Sequence, residues 1–472
     1  MLLTLRPPPR RALRRLGFAA ACAAVVTMTG AAAAQELRGI RMTLGLQQGV
    51  EAGRNLALAT PAEGTTLRSL TDLNLRFLSE TRTQQLSFDT GTRLTLGDVR
   101  NGNDRIFTDP QFRLSYRREG VDSLLTVGAR FRTSRVRFLR TLDEFIDEDG
   151  VLVLPEDFTD LTGAGTRTDF GLNAGLEIGR EAAPIGLTLR AALDGRSYAN
   201  VTNPSLFDAR TVNLGATMRL RLSPVASAFL TVDRGRTRNE DAVSTRRSSD
   251  RVSVGLTYDI DPATRMTGSL GLSRRDTTEL GVRVNRSEGA VGQFALTREM
   301  PGGVVSGRFG VERVDAGQRM NLSASRSWER PLGAVAGELG LTRGPGGEVN
   351  AIGSLDWRRE TPDGDVTVAL RRSVGTTAAN EERINTTLSL RYGHRFTEVS
   401  SVSLRLDHAI ADATPSASGV QRTDVGISYA HQLTPDWALN TGVNYRTRRS
   451  DGRRATSPSV RISLGRSFDF RL

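Results

Sequence analysis

The chain has 472 residues, 38% hydrophobic and 25% charged, with 64 basic against 52 acidic side chains, a net charge of +12 and one cysteine. One cysteine excludes a disulfide-stapled scaffold, and no run of roughly eighteen apolar residues offers a membrane-spanning helix. All the basic residues are arginine, and they are spread along the chain rather than gathered in the patch that nucleic-acid binding requires.

Residues 1–34 read as a cleaved secretory signal peptide. Arg6, Arg10, Arg11, Arg14 and Arg15 form a positive start, "LGFAAACAAVVTMTG" is a short apolar core, and Ala32-Ala33-Ala34 is a small-residue cleavage site before Gln35. Cys22 lies inside that core, so the expected mature chain has no cysteine. Residues 35–472 show no composition break and no linker, and read as one domain.

The dominant hydrophobic period beyond this point is two. In "TVNLGATMRLRL", Val212, Leu214, Ala216, Met218, Leu220 and Leu222 share one face, while Asn213, Gly215, Thr217, Arg219 and Arg221 share the other. "FGLNAGLEI", "IGLTLRAAL", "VSVGLTYDI", "INTTLSLRY", "VSLRLDHAI" and "WALNTGVNY" repeat the pattern. Segments of this length, alternating and separated by turn signals, predict a transmembrane β-barrel. A sandwich also alternates, but it has no reason to alternate its connection lengths.

Short connections such as "DPAT" (261–264), "MPGG" (300–303) and "TPDG" (361–364) interleave with longer polar ones at 53–65, 141–166, 273–289 and 447–458. The fold class expected is therefore all-β: a closed antiparallel transmembrane β-barrel with an even strand number, about 22 within a range of 18–22, and both termini on the periplasmic side. Phe77, Tyr116, Tyr258, Trp328, Trp357, Tyr392, Tyr429 and Trp437 fall in the apolar phase near the short turns, as an interfacial girdle requires. Tyr198 and Tyr445 are the expected outer girdle, and His394 is expected in a turn.

The chain ends on "RISLGRSFDFRL", where the alternation runs through Ile462, Leu464, Phe468 and Phe470. At this level the mature chain resembles Gram-negative outer-membrane β-barrels of the porin type, without reaching one named family. The resemblance implies an outer-membrane location, contact with membrane lipids and lipopolysaccharide, and delivery by periplasmic chaperones to the barrel-assembly machinery. Ser463, Gly465, Phe468 and Phe470 fill that machinery's last-strand signal, although Arg471-Leu472 follow it and Arg466 takes a lipid-facing position. Only "QELRGI" separates the cleavage site from the first strand, so no plug domain is expected and the chain does not look like an energised siderophore or vitamin receptor.

The inward phase carries Arg76, Arg93, Arg130, Arg132, Arg190, Arg219, Arg221 and Arg405, with fewer acids. Such a wall either favours anions or pairs internally and fills the lumen. The longest loop, "TLDEFIDEDGVLVLPEDFTDLTGAGT", carries Asp143, Glu144, Asp147, Glu148 and Asp149. The resemblance to general porins implies an inward constriction loop facing wall arginines; the alternative is a solvated, external, cation-binding loop. The three histidines are dispersed and no cysteine survives cleavage, so neither a catalytic constellation nor a metal or other cofactor site is expected, and the chain is not read as an enzyme. The functional expectation is a passive diffusion channel with mild anion preference; the alternative is a non-conducting structural or accessory barrel serving polysaccharide export or external contacts.

Overall fold

The computed structural model describes residues 39–97, 106–138, 142–146, 150–179, 183–377 and 381–471. They form one sheet of 23 strands in which every pairing is antiparallel. The strands Ile106–Thr108 and Gln111–Glu119 both pair with Gln84–Gly97 and form one interrupted stave, so 23 segments make 22 staves. The ring closes where the first strand, Ile40–Arg54, pairs with both Thr65–Glu80 and the last strand, Arg453–Arg471. Closure is what lipid demands, since an unpaired backbone edge has no water to bond.

The period-two pattern sorts the faces. Val254 and Leu270 stand opposite one another at 60% and 74% exposure, on the outer surface. Ser253 and Ser269, one residue out of phase, are 5% and 6% exposed on the inner one. The turn-end aromatics lie on the outer face as ladders: Tyr392 stacks on His394 at 6.3 Å, and Tyr429 on His431 at 6.2 Å. His394 belongs to the strand Glu382–Thr397, not to a turn, because its alternation with Tyr392 and Phe396 continues to the strand's end.

Two expected long loops are hairpins. Thr264–Glu279 runs through Leu280-Gly281 into Val282–Met300, and Trp437–Ser450 through Asp451-Gly452 into Arg453–Arg471. Both central residues of each turn have positive φ (Leu280 49°, Gly281 84°; Asp451 52°, Gly452 71°). That is the two-residue turn whose twist matches the strands it joins. Threonine and valine alternation carries these strands beyond the membrane, and polarity alone misread them as loops.

In the last strand Phe468 lies opposite Leu44 and Phe470 opposite Met42, so Gly465, Phe468 and Phe470 all sit in the closing ladder. Arg466 does take the lipid-facing phase. Its guanidinium lies 4.5 Å from the Phe468 ring and 5.5 Å from Trp437, and 3.7 Å from the Asp436 carboxylate in the adjoining turn. The charge thus reaches the interface along aromatic faces.

The outer face predicts its own tolerance. Val254→Arg, at mid-strand, should destabilise the barrel by about 2–4 kcal/mol in denaturant unfolding from lipid vesicles. Arg466→Leu, already at the rim, should change stability by less than about 1 kcal/mol.

Candidate functional site

The inner face is largely polar, but its arginines differ by depth. Arg76 is 74% exposed and pairs with Asp89 at 2.7 Å; Arg130 pairs with Asp194 at 2.7 Å. Arg93 meets Asp72 at 2.6 Å, Arg405 meets Asp407 at 3.5 Å, and Arg132 is salt-bridged to Glu144. Arg219 donates to the Gly179 carbonyl at 2.9 Å, while Arg190 and Arg221 are exposed to the lumen water. Five of these eight arginines therefore have an acid within ion-pair distance, on the same strand, a nearby strand or the loop.

The second population lies near the loop end and is buried. Its cause is the segment between strands Ser123–Arg135 and Thr166–Ile178, which turns into the barrel. Leu142, Leu152 and Phe158 pack on Ala409, Ala411 and Val420, while Val136 and Leu161 pack with Leu206. Six staves separate this segment's own strands from Val420–Gln432 around the closed wall, so the segment spans the mouth as a chord.

Polar groups pin the chord to the far wall. Arg422, 0% exposed, lies 4.0 Å above the Phe158 ring and donates to the Phe158 carbonyl at 3.1 Å. Asp424 accepts the Leu142 amide at 2.6 Å. Arg383 donates to the Pro155 carbonyl at 3.3 Å and to Thr159 Oγ1 at 3.4 Å.

On the near wall, Asp157 accepts from Arg167 at 3.1 Å and from the Tyr198 hydroxyl, with Arg196 at 4.0 Å. Tyr198 is thus a lumen residue, not part of an outer girdle: it shares the phase of Arg190, Asp194 and Arg196. A second loop joins in. Leu56, Ala57 and Leu58 are buried, Asn55 donates to the Thr456 carbonyl at 3.3 Å, and Glu63 is salt-bridged to Arg137. Below the chord lies a cavity of about 810 Å³ whose wall carries Arg190, Arg247, Arg251 and Arg275 together with Glu156, Glu177, Asp233 and Asp315, the last paired with Arg247 and Arg275.

Of the five acids singled out in the loop, Glu144 holds Arg132. Asp147, Glu148 and Asp149, with the side chain of Asp143, lie outside the described residues. The functional residues that the sequence reading missed are Arg167, Tyr198, Arg383, Arg422 and Asp424. The available signal was in the loop's apolar residues, "FI" and "VLVL", which a solvated external loop has no use for. Among the described residues no group of His, Cys, Asp or Glu could hold a metal ion.

Burial alone would raise the Asp157 carboxyl, but Arg167 and Arg196 outweigh it and hold the group below the usual carboxylate range. Burial, then the neighbouring Asp157 charge, push Asp160 the other way, above it.

No family model matches the sequence, and no curated protein does. Solved structures match its fold. The FrpB iron transporter of Neisseria meningitidis aligns over 91% of this chain and 82% of its own, at 10% identity and a TM-score of 0.58. The siderophore receptor PirA of Acinetobacter baumannii aligns over 90% and 80%, at 8% identity and a TM-score of 0.52. The ferric-catecholate import receptor Fiu of E. coli K12 aligns over 90% and 81%, at 10% identity and a TM-score of 0.51. Identities this low speak for the fold alone: a large outer-membrane β-barrel.

That fold corrects two expectations. The porin-type barrel without a plug, argued from the shortness of "QELRGI", gives way to a 22-stave architecture shared with metal and siderophore receptors. The passive channel, and with it the accessory barrel, gives way for the same reason. The porin reading rested on strand alternation and connection length, which every outer-membrane barrel shares.

The pKa directions set how the chord responds to acid. Asp157, depressed in the fold, contributes stability above its unfolded pKa of about 3.9, lost as pH falls through its lower folded value. Asp160, raised, gains as pH falls through its folded value. Amide exchange of residues 150–162, corrected for intrinsic rate, should therefore slow slightly from neutral to mildly acidic pH and then accelerate in stronger acid. Asp157→Asn should abolish the acid acceleration, and Asp160→Asn the initial slowing.

Proposed function

We infer that this chain is a gated uptake barrel of the outer membrane, taking in a compact solute of the metal-chelate class. The observation that carries the reading is the chord across the mouth. Contacts from Arg422, Asp424 and Arg383 to its backbone and side chains hold the entrance partly closed in the resting molecule. Passage then requires those contacts to break, so transport depends on a conformational step rather than on pore width.

The fold likeness supports the class of cargo, since its partners are named as an iron transporter, a siderophore receptor and a ferric-catecholate import receptor. The cavity beneath the chord suits it physically. About 810 Å³ is within the size range of small-molecule sites, and catecholate oxygens bound to ferric iron are anionic, which the guanidinium groups of Arg190 and Arg251 match. Glu144 on the chord and Arg132 on the wall belong to the same closure.

Deleting residues 145–160 should convert small or absent steady conductance in planar bilayers into a large, persistent one. Cells carrying the intact barrel should accumulate radioactive iron supplied as a ferric catecholate, and Arg190→Gln/Arg251→Gln should reduce that accumulation several-fold. A large steady conductance in the intact protein would overturn the gate; equal accumulation with and without the barrel would overturn the cargo.

A further inference from the structure

Outward positions of the strands Ala209–Ser223, Ala226–Asn239 and Arg246–Asp261 change abruptly at the loop end. On the first of these, outward side chains run from Val212 to Leu222. Ten residue steps at about 3.3 Å and a tilt near 45° make about 23 Å, the height of an apolar membrane band. The next outward position is Arg210. On the second strand the outward row continues above Leu230 and Val232 as Arg234, Arg236 and Arg238, and on the third, above Val252, as Asp250, Ser248 and Arg246.

The register places these arginines side by side. Arg210 lies opposite Arg238, and Arg238 opposite Arg246, so three guanidinium groups share one cross-strand row. Arg236 sits one outward step below, between Val212 and Ser248. All four are exposed. Arg234 is neutralised by Asp250 at 3.4 Å, but none of these four takes part in an ion pair among the described residues. Nearby acids are engaged elsewhere: Asp208 accepts the Tyr198 amide at 2.7 Å, and Asp241 accepts from the Thr245 amide and hydroxyl at 2.8 and 2.6 Å. Glu240 pairs with none of them.

Like charges directly opposite one another across strands are destabilising. A row of three with a fourth beneath it, directly above a lipid-facing apolar band, calls for an anionic counterpart at headgroup depth. Guanidinium binds phosphate through two parallel hydrogen bonds. The row lies at the end opposite the chain termini, which outer-membrane barrels place outside the cell, with the short turns in the periplasm. We propose that Arg210, Arg236, Arg238 and Arg246 form a binding site for the phosphate groups of lipopolysaccharide, the phosphorylated glycolipid of the outer leaflet.

The test uses the full-length mature barrel, purified in mild detergent and stripped of lipid, with purified lipopolysaccharide as the probe and phosphatidylglycerol as the competing anion. Each arginine near a charged membrane surface is worth about fivefold in binding. R210Q/R236Q/R238Q/R246Q should therefore weaken glycolipid binding about a hundredfold or more. The milder R236Q/R238Q should weaken it about 25-fold and serves if the quadruple variant does not fold. The inward Arg308→Gln should leave binding unchanged, and heat-modifiable gel mobility confirms folding of each. Equal binding by wild type and R236Q/R238Q would overturn the site, and phosphatidylglycerol binding as tight as lipopolysaccharide binding would overturn the assignment of its occupant.

Discussion

The whole molecule depends on one joint, the pairing of Ile40–Arg54 with Arg453–Arg471. In lipid an open edge would leave a row of amides and carbonyls without partners. The joint must also close in one register, because a slip of one residue turns every side chain to the wrong face. Charges on the inner face oppose such a slip. Asp72, on the second strand, lies between Arg93 of the third at 2.6 Å and Arg461 of the last at 2.8 Å. Glu51 of the first strand holds Arg68 of the second at 2.6 Å. One residue of slip would place Glu51 or Arg461 against hydrocarbon and Leu44 in water. The closure is thus specified by hydrogen bonds along the strand and by ion pairs across it.

A ring of this size encloses more space than its own side chains fill, and what enters it must satisfy its backbone there. The chord does so with borrowed partners: Arg422 and Arg383 donate to its carbonyls, and Asp424 accepts from the Leu142 amide. Apolar burial adds to this: Val136, Leu142, Leu152, Phe158 and Leu161 are at most 2% exposed, and each buried side chain of this size contributes about 1.5–3 kcal/mol. Buried ion pairs such as Arg167–Asp157 add little net stability because desolvation offsets their attraction, yet they select one geometry. Burial thus holds the segment in the mouth, and the polar contacts fix where it lies.

The barrel was legible in the sequence because its signal is local. Val254, Leu270 and Phe468 face outward by parity alone, and parity survives any error in strand boundaries. Hairpin tips were less legible. Asp451-Gly452 is a strong two-residue turn signal, but the arginines around it read as loop polarity. The chord's partners were not legible at all. Arg422 and Arg383 look like any other inward arginine, and only the closed ring brings them to a loop more than 200 residues earlier in sequence. Function was hidden for a related reason: alternation and turn length report the membrane, not the traffic through it.

A net charge of +12 invites a single explanation, and the structure divides it by phase and depth. Inward arginines away from the chord, such as Arg76 and Arg130, pair with acids one and two strands away. Inward arginines under the chord, such as Arg422, act as hydrogen-bond donors in a site from which water is excluded. Arg238, outward at the rim, instead has Arg210 and Arg246 as its cross-strand neighbours. The same side chain therefore neutralises, pins or attracts according to one bit of parity and a few residues of height. Bulk charge cannot distinguish these uses. An anion preference argued from the inward arginines counts several whose charge a nearby acid already pairs.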